Sequence, residues 1–221
     1  MSSLFVTGTD TEVGKTFITV AIMEHLQQQG KVVVGMKPIA SGCDTTELGL
    51  RNGDALAIQQ RCSKQIDYAT INPYAFEPAI APHIAAKKVG VEIDITHIQR
   101  QFCILQQDAD AVIVEGAGGW LVPLNDELKI ADLAIRLGLP VVVVVAIKLG
   151  CINHALLTIQ AIEQSGLPIQ GWVANSVEPN AQAEEIISTL KEAIPVPCLG
   201  VVPHLSSLEK ACDYIDLREY R

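Results

Sequence analysis

Short runs of apolar, mostly β-branched residues alternate along the chain with longer segments whose apolar positions recur with a helical period. Runs without polar alternation suit strands buried on both faces, and the longer segments suit helices that cover them. This alternation is the pattern of βαβ units around a parallel sheet. Strands are predicted over residues 4–7, 32–36, 111–115, 141–147 and 172–175, with a weaker sixth over 198–202, held between Pro197 and Pro203. Helices are predicted over 15–29, 53–62, 95–107, 130–137, 151–165 and 181–193. No repeat, low-complexity tract or linker interrupts the series. Residues 1–221 therefore read as a single α/β domain, a mostly parallel central sheet with helices on both faces.

Composition narrows the partners. With 49% hydrophobic residues in 221, the chain can bury one sizeable core but has little room for a second domain. A formal net charge of −9 disfavours broad contact with nucleic acid or an anionic membrane, so a small molecule is the better default partner. Net charge does not forbid a local anion site, because lysines act over a screening length of about 8 Å. The six cysteines form no CxxC pair or Cys/His cluster, which argues against zinc or a disulfide framework. The first residues lack the basic and apolar blocks of a secretory signal, and the apolar run 141–147 falls far short of the ~20 residues of a membrane helix. A cytoplasmic protein is expected.

In such sheets ligands bind beyond the carboxyl ends of the strands. The segments found there are GTDTEVGKT, KPIASG, EGAGGW, KLGCINH and an Asn-Ser pair. The first, residues 8–16, lies between a strand and a helix, where a GK[ST] sequence becomes a phosphate cradle. Its N–H groups and the helix dipole converge on one point, Lys15 would meet the β and γ phosphates, and the Thr16 hydroxyl would face Mg²⁺. The loop departs from the strict motif, since Thr9 stands where glycine is usual and Gly8 comes one place earlier. Glu115 ends a strand and could hold Mg²⁺ or be a solvated strand end. Asp54, near a helix start, suits metal binding and helix capping equally. Lys37 would share the crevice with Lys15 if an anion sat between them, as phosphoryl transfer requires. The Gly150–Asn153 segment could offer N–H groups to a carboxylate or be an ordinary turn, and His154 has no partners at metal spacing.

Taken in order, GTDTEVGKT, KPIASG, LRNGDALA, NPYAF with APHIAA, VEGAGGW, KLGCINHA and GWVANS resemble the dethiobiotin synthetases, over residues 4 to about 205. The resemblance implies a P-loop NTPase fold and a reaction of 7,8-diaminononanoate, CO₂ and MgATP. A carbamate and then a carbamic-phosphoric anhydride would form before ring closure to dethiobiotin, ADP and phosphate. It assigns the nucleotide to Glu12, Val13, Gly14, Lys15, Thr16, Phe17, Asp54, Glu115, Gly116, Ala117 and Gly118. The adenine would be framed by Asn175, Ser176, Pro203, His204 and Leu205. Mg²⁺ falls to Thr16, Asp54 and Glu115, and catalysis to Lys37 with Lys15. Thr11, Lys37, Ser41 and Gly118 would contact the reacting end of the substrate. Gly150, Cys151 and Asn153 would meet its carboxylate at the boundary of a homodimer. Two departures stand out: His204 replaces a bulkier aromatic, and residues 181–190 contain no tyrosine. The rivals are an ATPase switch of the partition or septum-positioning type, for which the loop lacks the extra lysine, and an amidotransferase synthetase domain, for which the chain is short.

Overall fold

The six predicted apolar runs all become parallel strands of one sheet, and most helices fall where the helical period placed them. The computed structural model describes residues 3–205 and 208–217. In chain order it runs β1 (Leu4–Gly8), α1 (Lys15–Gln28), β2 (Val33–Met36), β3 (Ile39–Ser41), β4 (Asp44–Thr46), β5 (Gly49–Arg51) and α2 (Gly53–Arg61). There follow α3 (Tyr68–Ile71), β6 (Tyr74–Phe76), α4 (Pro82–Lys88), α5 (Ile95–Gln106), β7 (Ala111–Gly119) and α6 (Ile130–Leu137). The last third holds β8 (Val141–Ala146), α7 (Cys151–Gln164), β9 (Ile169–Asn175), α8 (Ala183–Ala193), β10 (Cys198–Val202) and a 3₁₀ segment, Leu208–Tyr214.

The main sheet has the order β10-β9-β8-β1-β7-β2. Side chains alternate across a strand, so neighbours in β1 enter different cores. Phe5 joins Val34, Val114, Val143 and Trp172 beneath α5, α6, α7 and α8. Leu4 and Val6 join Val33, Ile113, Val142 and Val144 beneath α1, α2 and the C-terminal segment. Burial on both faces is why these strands are apolar throughout, each full Val or Ile burial being worth about 1.5–3 kcal/mol. Among the described residues, no helix is long and apolar enough to cross a membrane.

The order of the strands decides the site. β1 lies between β7 and β8, with β2 beyond β7, so the loops after β1, β2 and β7 emerge side by side at one edge. Residues 37–88 differ from the prediction. They add a parallel pair, β3–β6, an antiparallel hairpin, β4–β5, and two short helices. These pieces are three to seven residues long, too short to show a period. The third predicted strand also runs on through EGAGG to Gly119, because Gly8 of β1 pairs with Gly119 and draws the glycines into the ladder.

Candidate active site

Glycine geometry shapes the phosphate loop. Gly14 caps α1 at φ 86°, and a Cβ there would lie 2.1 Å from Asn175 Nδ2. That amide donates to Val13 O at 3.0 Å, so β9 grips the loop from the side. Glu12, at φ 58°, is the one non-glycine in the left-handed region among the described residues, a strain of the kind that gathers at ligand clamps. The left-handed residues of the loop are thus Glu12 and Gly14, not Thr9. The first bond back into α1 is Ile18 N–H to Gly14 O, which leaves the N–H groups of Lys15, Thr16 and Phe17 directed out of the helix end. Lys15 Nζ donates to Asp10 O at 2.7 Å across the loop.

Glu115 lies at the centre. It is fully buried, not the solvated strand end that its position also allowed. Its Oε1 accepts from Thr16 Oγ1 at 2.8 Å and from Lys37 Nζ at 2.5 Å, while its Oε2 is buried and has no hydrogen-bond partner. Lys37 Nζ also approaches Asp54 Oδ2 at 3.3 Å and Gly116 O at 3.4 Å. The α2 cap is Asn52, whose Oδ1 accepts from Ala55 N–H. Asp54 is thereby released from capping and stands half exposed in the first turn of α2, facing Lys37.

The charges respond to this crowding. Burial, followed by the nearby Lys37 ammonium, pulls Lys15 down to about 8. Burial alone would lower Lys37 too, but Glu115 and Asp54 together outweigh it and hold that ammonium above its ordinary range. Two cations and two carboxylates thus surround one centre, which an anion with a divalent cation would complete.

A cavity of about 610 Å³ opens over it. Of the residues singled out in the sequence, Thr11, Glu12, Gly14, Lys15, Thr16, Phe17, Lys37, Ser41, Asp54, Glu115, Ala117 and Gly118 line this space. The Ser41 hydroxyl is buried without a partner. Val13 is buried beneath the loop, and Gly116 contributes its carbonyl to Lys37. Asn175 ends β9 beside the phosphate loop, and Ser176 follows it, its N–H bonded to Val202 O. Pro203 and His204 are exposed after β10, and Leu205 is partly buried against the second core.

The structure does not bring every expected residue to the cavity. Gly150, Cys151 and Asn153 lie at the start of α7, after β8 on the far side of β1, and none of them lines it. Ile39, Ala40, Asn52, Val122 and residues 79–82 also line the cavity, and the sequence reading assigned none of them. Ile39 and Ala40 lie in KPIASG, Asn52 in LRNGDALA, and Ala81 and Pro82 in APHIAA, while Ala79, Ile80 and Val122 lie in none of the stretches singled out.

The hard oxygens of Thr16, Asp54 and Glu115, one of them a buried carboxylate oxygen with no partner, fit Mg²⁺ that shares its shell with phosphate and water. Among the described residues no group of three or more His, Cys, Asp or Glu could hold a metal by itself.

The family model described as an AAA domain matches residues 2–211. The ATP-dependent dethiobiotin synthetase BioD of Pseudomonas paraeruginosa is 50% identical over 222 residues, covering 99% of this chain and 97% of its own. BioD 1 of Escherichia coli K12 is 48% identical over 203 residues, covering 91% and 90%. Among solved structures, the cell division ATPase MinD of Pyrococcus furiosus superimposes with a TM-score of 0.56 at 17% identity, covering 100% of this chain and 92% of that one. MinD of Aquifex aeolicus gives 0.58 at 16%, covering 96% and 85%. At such identities the structural likeness shows the fold alone.

Proposed function

The chain belongs to the ATP-dependent dethiobiotin synthetases, within the AAA-domain family, and from this premise we propose how its crevice carries out the reaction. The enzyme closes the ureido ring of dethiobiotin from 7,8-diaminononanoate and CO₂, coupled to cleavage of ATP. One substrate amine attacks CO₂ and loses a proton, giving a carbamate. A carbamate oxygen then attacks the γ-phosphorus and ADP leaves. The second amine attacks the carbamoyl carbon of the resulting anhydride, phosphate leaves, and the ring is closed.

Each charged residue has a task in that sequence. The N–H groups at the start of α1 and the Lys15 ammonium hold the triphosphate. Thr16, Asp54 and Glu115 would hold Mg²⁺, which when bound supplies neutralising charge to the phosphates. Lys37 lines the cavity together with Lys15 and Ser41, and its fixed positive charge stabilises both the carbamate and the transferring phosphoryl group. Thr11, Ser41 and Gly118 contact the amine end. Glu12, Val13, Gly14, Phe17, Gly116 and Ala117 shape the nucleotide site, and Asn175, Ser176, Pro203, His204 and Leu205 frame the adenine.

The substrate carboxylate goes to Gly150, Cys151 and Asn153 of a second copy, in a cytoplasmic homodimer. Two features support this: those residues do not line the chain's own cavity, and the adjoining Leu149 is 99% exposed. The observation that carries the reading as a whole is the buried Glu115 carboxylate shared by Thr16 and Lys37. It ties the phosphate loop to the one other lysine at the cavity.

The test is dependence on all substrates together. Phosphate release and a product of dethiobiotin's mass should require diaminononanoate, CO₂ and MgATP at once. ATP turnover without the diamine, stimulated by DNA or lipid vesicles, would overturn the proposal. Lys37→Ala should lower kcat far more than it weakens ADP binding.

A further inference from the structure

Two of the sequence stretches above, LRNGDALA and NPYAF, have only Asp54 accounted for. Their asparagines meet in the interior. Tyr68, Asn72 and Asn52 are 7%, 3% and 8% exposed, and Tyr68 Oη joins the two asparagines. It accepts from Asn52 N–H at 2.8 Å and donates to Asn72 Oδ1 at 3.0 Å. The Arg51 guanidinium lies 4.2 Å over the Tyr68 ring and closes the assembly from outside.

Apart from a bond from Asn72 Nδ2 to Tyr74 O at 3.2 Å, the far ends of this network reach site residues. Asn72 Nδ2 donates to Lys37 O at 2.7 Å, and Lys37 N–H donates to Ile71 O at 3.0 Å, so both backbone groups of Lys37 are held by residues 71 and 72. Asn52 Nδ2 donates to Ser41 O at 3.3 Å. Asn52 Oδ1 caps α2 through Ala55 N–H at 3.2 Å, which sets the turn carrying Asp54. Amides suit this task, because each offers donors and an acceptor in one rigid plane. A satisfied buried network also resists distortion more than its separate bonds suggest.

We propose that Tyr68, Asn72 and Asn52 are positioning residues that set Lys37 and Ser41 relative to one another. This rests on the roles proposed above for those two. The network belongs to the β2 side of the cavity, and among the described residues it makes no bond to the phosphate loop. It governs how the carbamate end is presented and leaves nucleotide binding alone. Ordinary loop packing would lack that separation.

The test compares Tyr68→Phe, Asn72→Leu, their double variant and Lys37→Ala in the full chain. Thermal melting fixes the folded fraction, and calorimetry measures MgADP affinity. Tyr68→Phe is expected to lower kcat/KM for diaminononanoate by ~10- to 100-fold, with a raised KM, because small displacements of catalytic groups have effects of that size. MgADP affinity should stay within about twofold of wild type, and the double variant should be little worse than Asn72→Leu, as for groups that act as a unit. Wild-type kcat and KM in Tyr68→Phe, beside an inactive Lys37→Ala, would overturn the positioning role and spare the functional reading. So would an activity loss that merely tracks the folded fraction, or losses that multiply in the double variant. Full turnover in Lys37→Ala would instead remove the role of Lys37, and this inference with it.

Discussion

Replacing Glu115 by glutamine keeps the side chain's shape and removes the charge that Lys37 faces. Glu115 is 0% exposed and Lys37 5%, so the lysine left behind would remain in a poorly solvated place. Removing one member of a buried ion pair costs about 3–5 kcal/mol. A ceiling comes from Lys37 itself, which can always escape by releasing its proton. Neutralising a lysine of ordinary pKa 10.5 at pH 7 costs about 5 kcal/mol, at 1.36 kcal/mol per unit. Asp54 remains 3.3 Å away but half exposed, so its help is screened by solvent. The expected loss of stability is therefore about 2–4 kcal/mol at pH 7.

The pH dependence carries the sharper test. In the wild type Lys37 is held above its ordinary value, so its contribution is fully present below about pH 10.5 and is lost only as pH rises through the folded value. In Glu115→Gln burial dominates and the folded value falls below the unfolded one. The variant should then gain stability as pH rises toward about 10, while the wild type gains nothing from this pair. Urea unfolding followed by tryptophan fluorescence, with Trp120 and Trp172 both buried, measures the difference at neutral pH and at about pH 9.5. A loss under about 0.5 kcal/mol, or a gap between the proteins that does not narrow with pH, would refute the reasoning.

Three other outcomes follow from the site. Lys15, held near 8 by burial and by Lys37, should take up a proton when a phosphate binds, so ADP affinity should weaken above about pH 8; calorimetry in buffers of different ionisation enthalpy would show that uptake at alkaline pH and little of it near pH 6.5. Gly14→Ala places a Cβ against Asn175 Nδ2 in a left-handed backbone that costs about 1–2 kcal/mol, and should weaken ADP binding; adding Asn175→Ala should restore part of it, and full affinity in the single variant would contradict the geometry. Ser41→Ala deletes a buried hydroxyl with no partner, so unfolding should change by less than about 0.5 kcal/mol while KM for diaminononanoate rises; an unchanged KM would take Ser41 out of substrate binding.

Much of this architecture was legible in the chain. The strand ending at Met36 and the one over 198–202 follow from their apolar runs, and the phosphate loop follows from Gly14, Lys15 and Thr16 between a strand and a helix. Residues 37–88 were less so. Three-residue strands such as β3 and β6 carry no period, and they form because the chain must return over the crevice with its backbone bonds satisfied. Asp54 could be read as cap or ligand, and only the bond from Ala55 N–H to Asn52 Oδ1 separates the two. Asn72 and Tyr68 were given no role from the sequence, since a buried polar link between distant segments leaves no mark on local sequence.

Local chemistry belongs to the sequence. Side-chain period selects strand or helix, and a glycine-lysine-threonine turn offers N–H groups and a cation to an anion wherever the rest of the chain goes. Convergence belongs to the tertiary structure. Thr16 and Glu115 are 99 positions apart, and Lys37 and Glu115 are 78 apart, yet the order β2-β7-β1 brings all three within hydrogen-bonding distance. The physical reason is burial: a carboxylate beneath a sheet edge must find cations or donors, and which ones it finds is set by the strands that pair beside it.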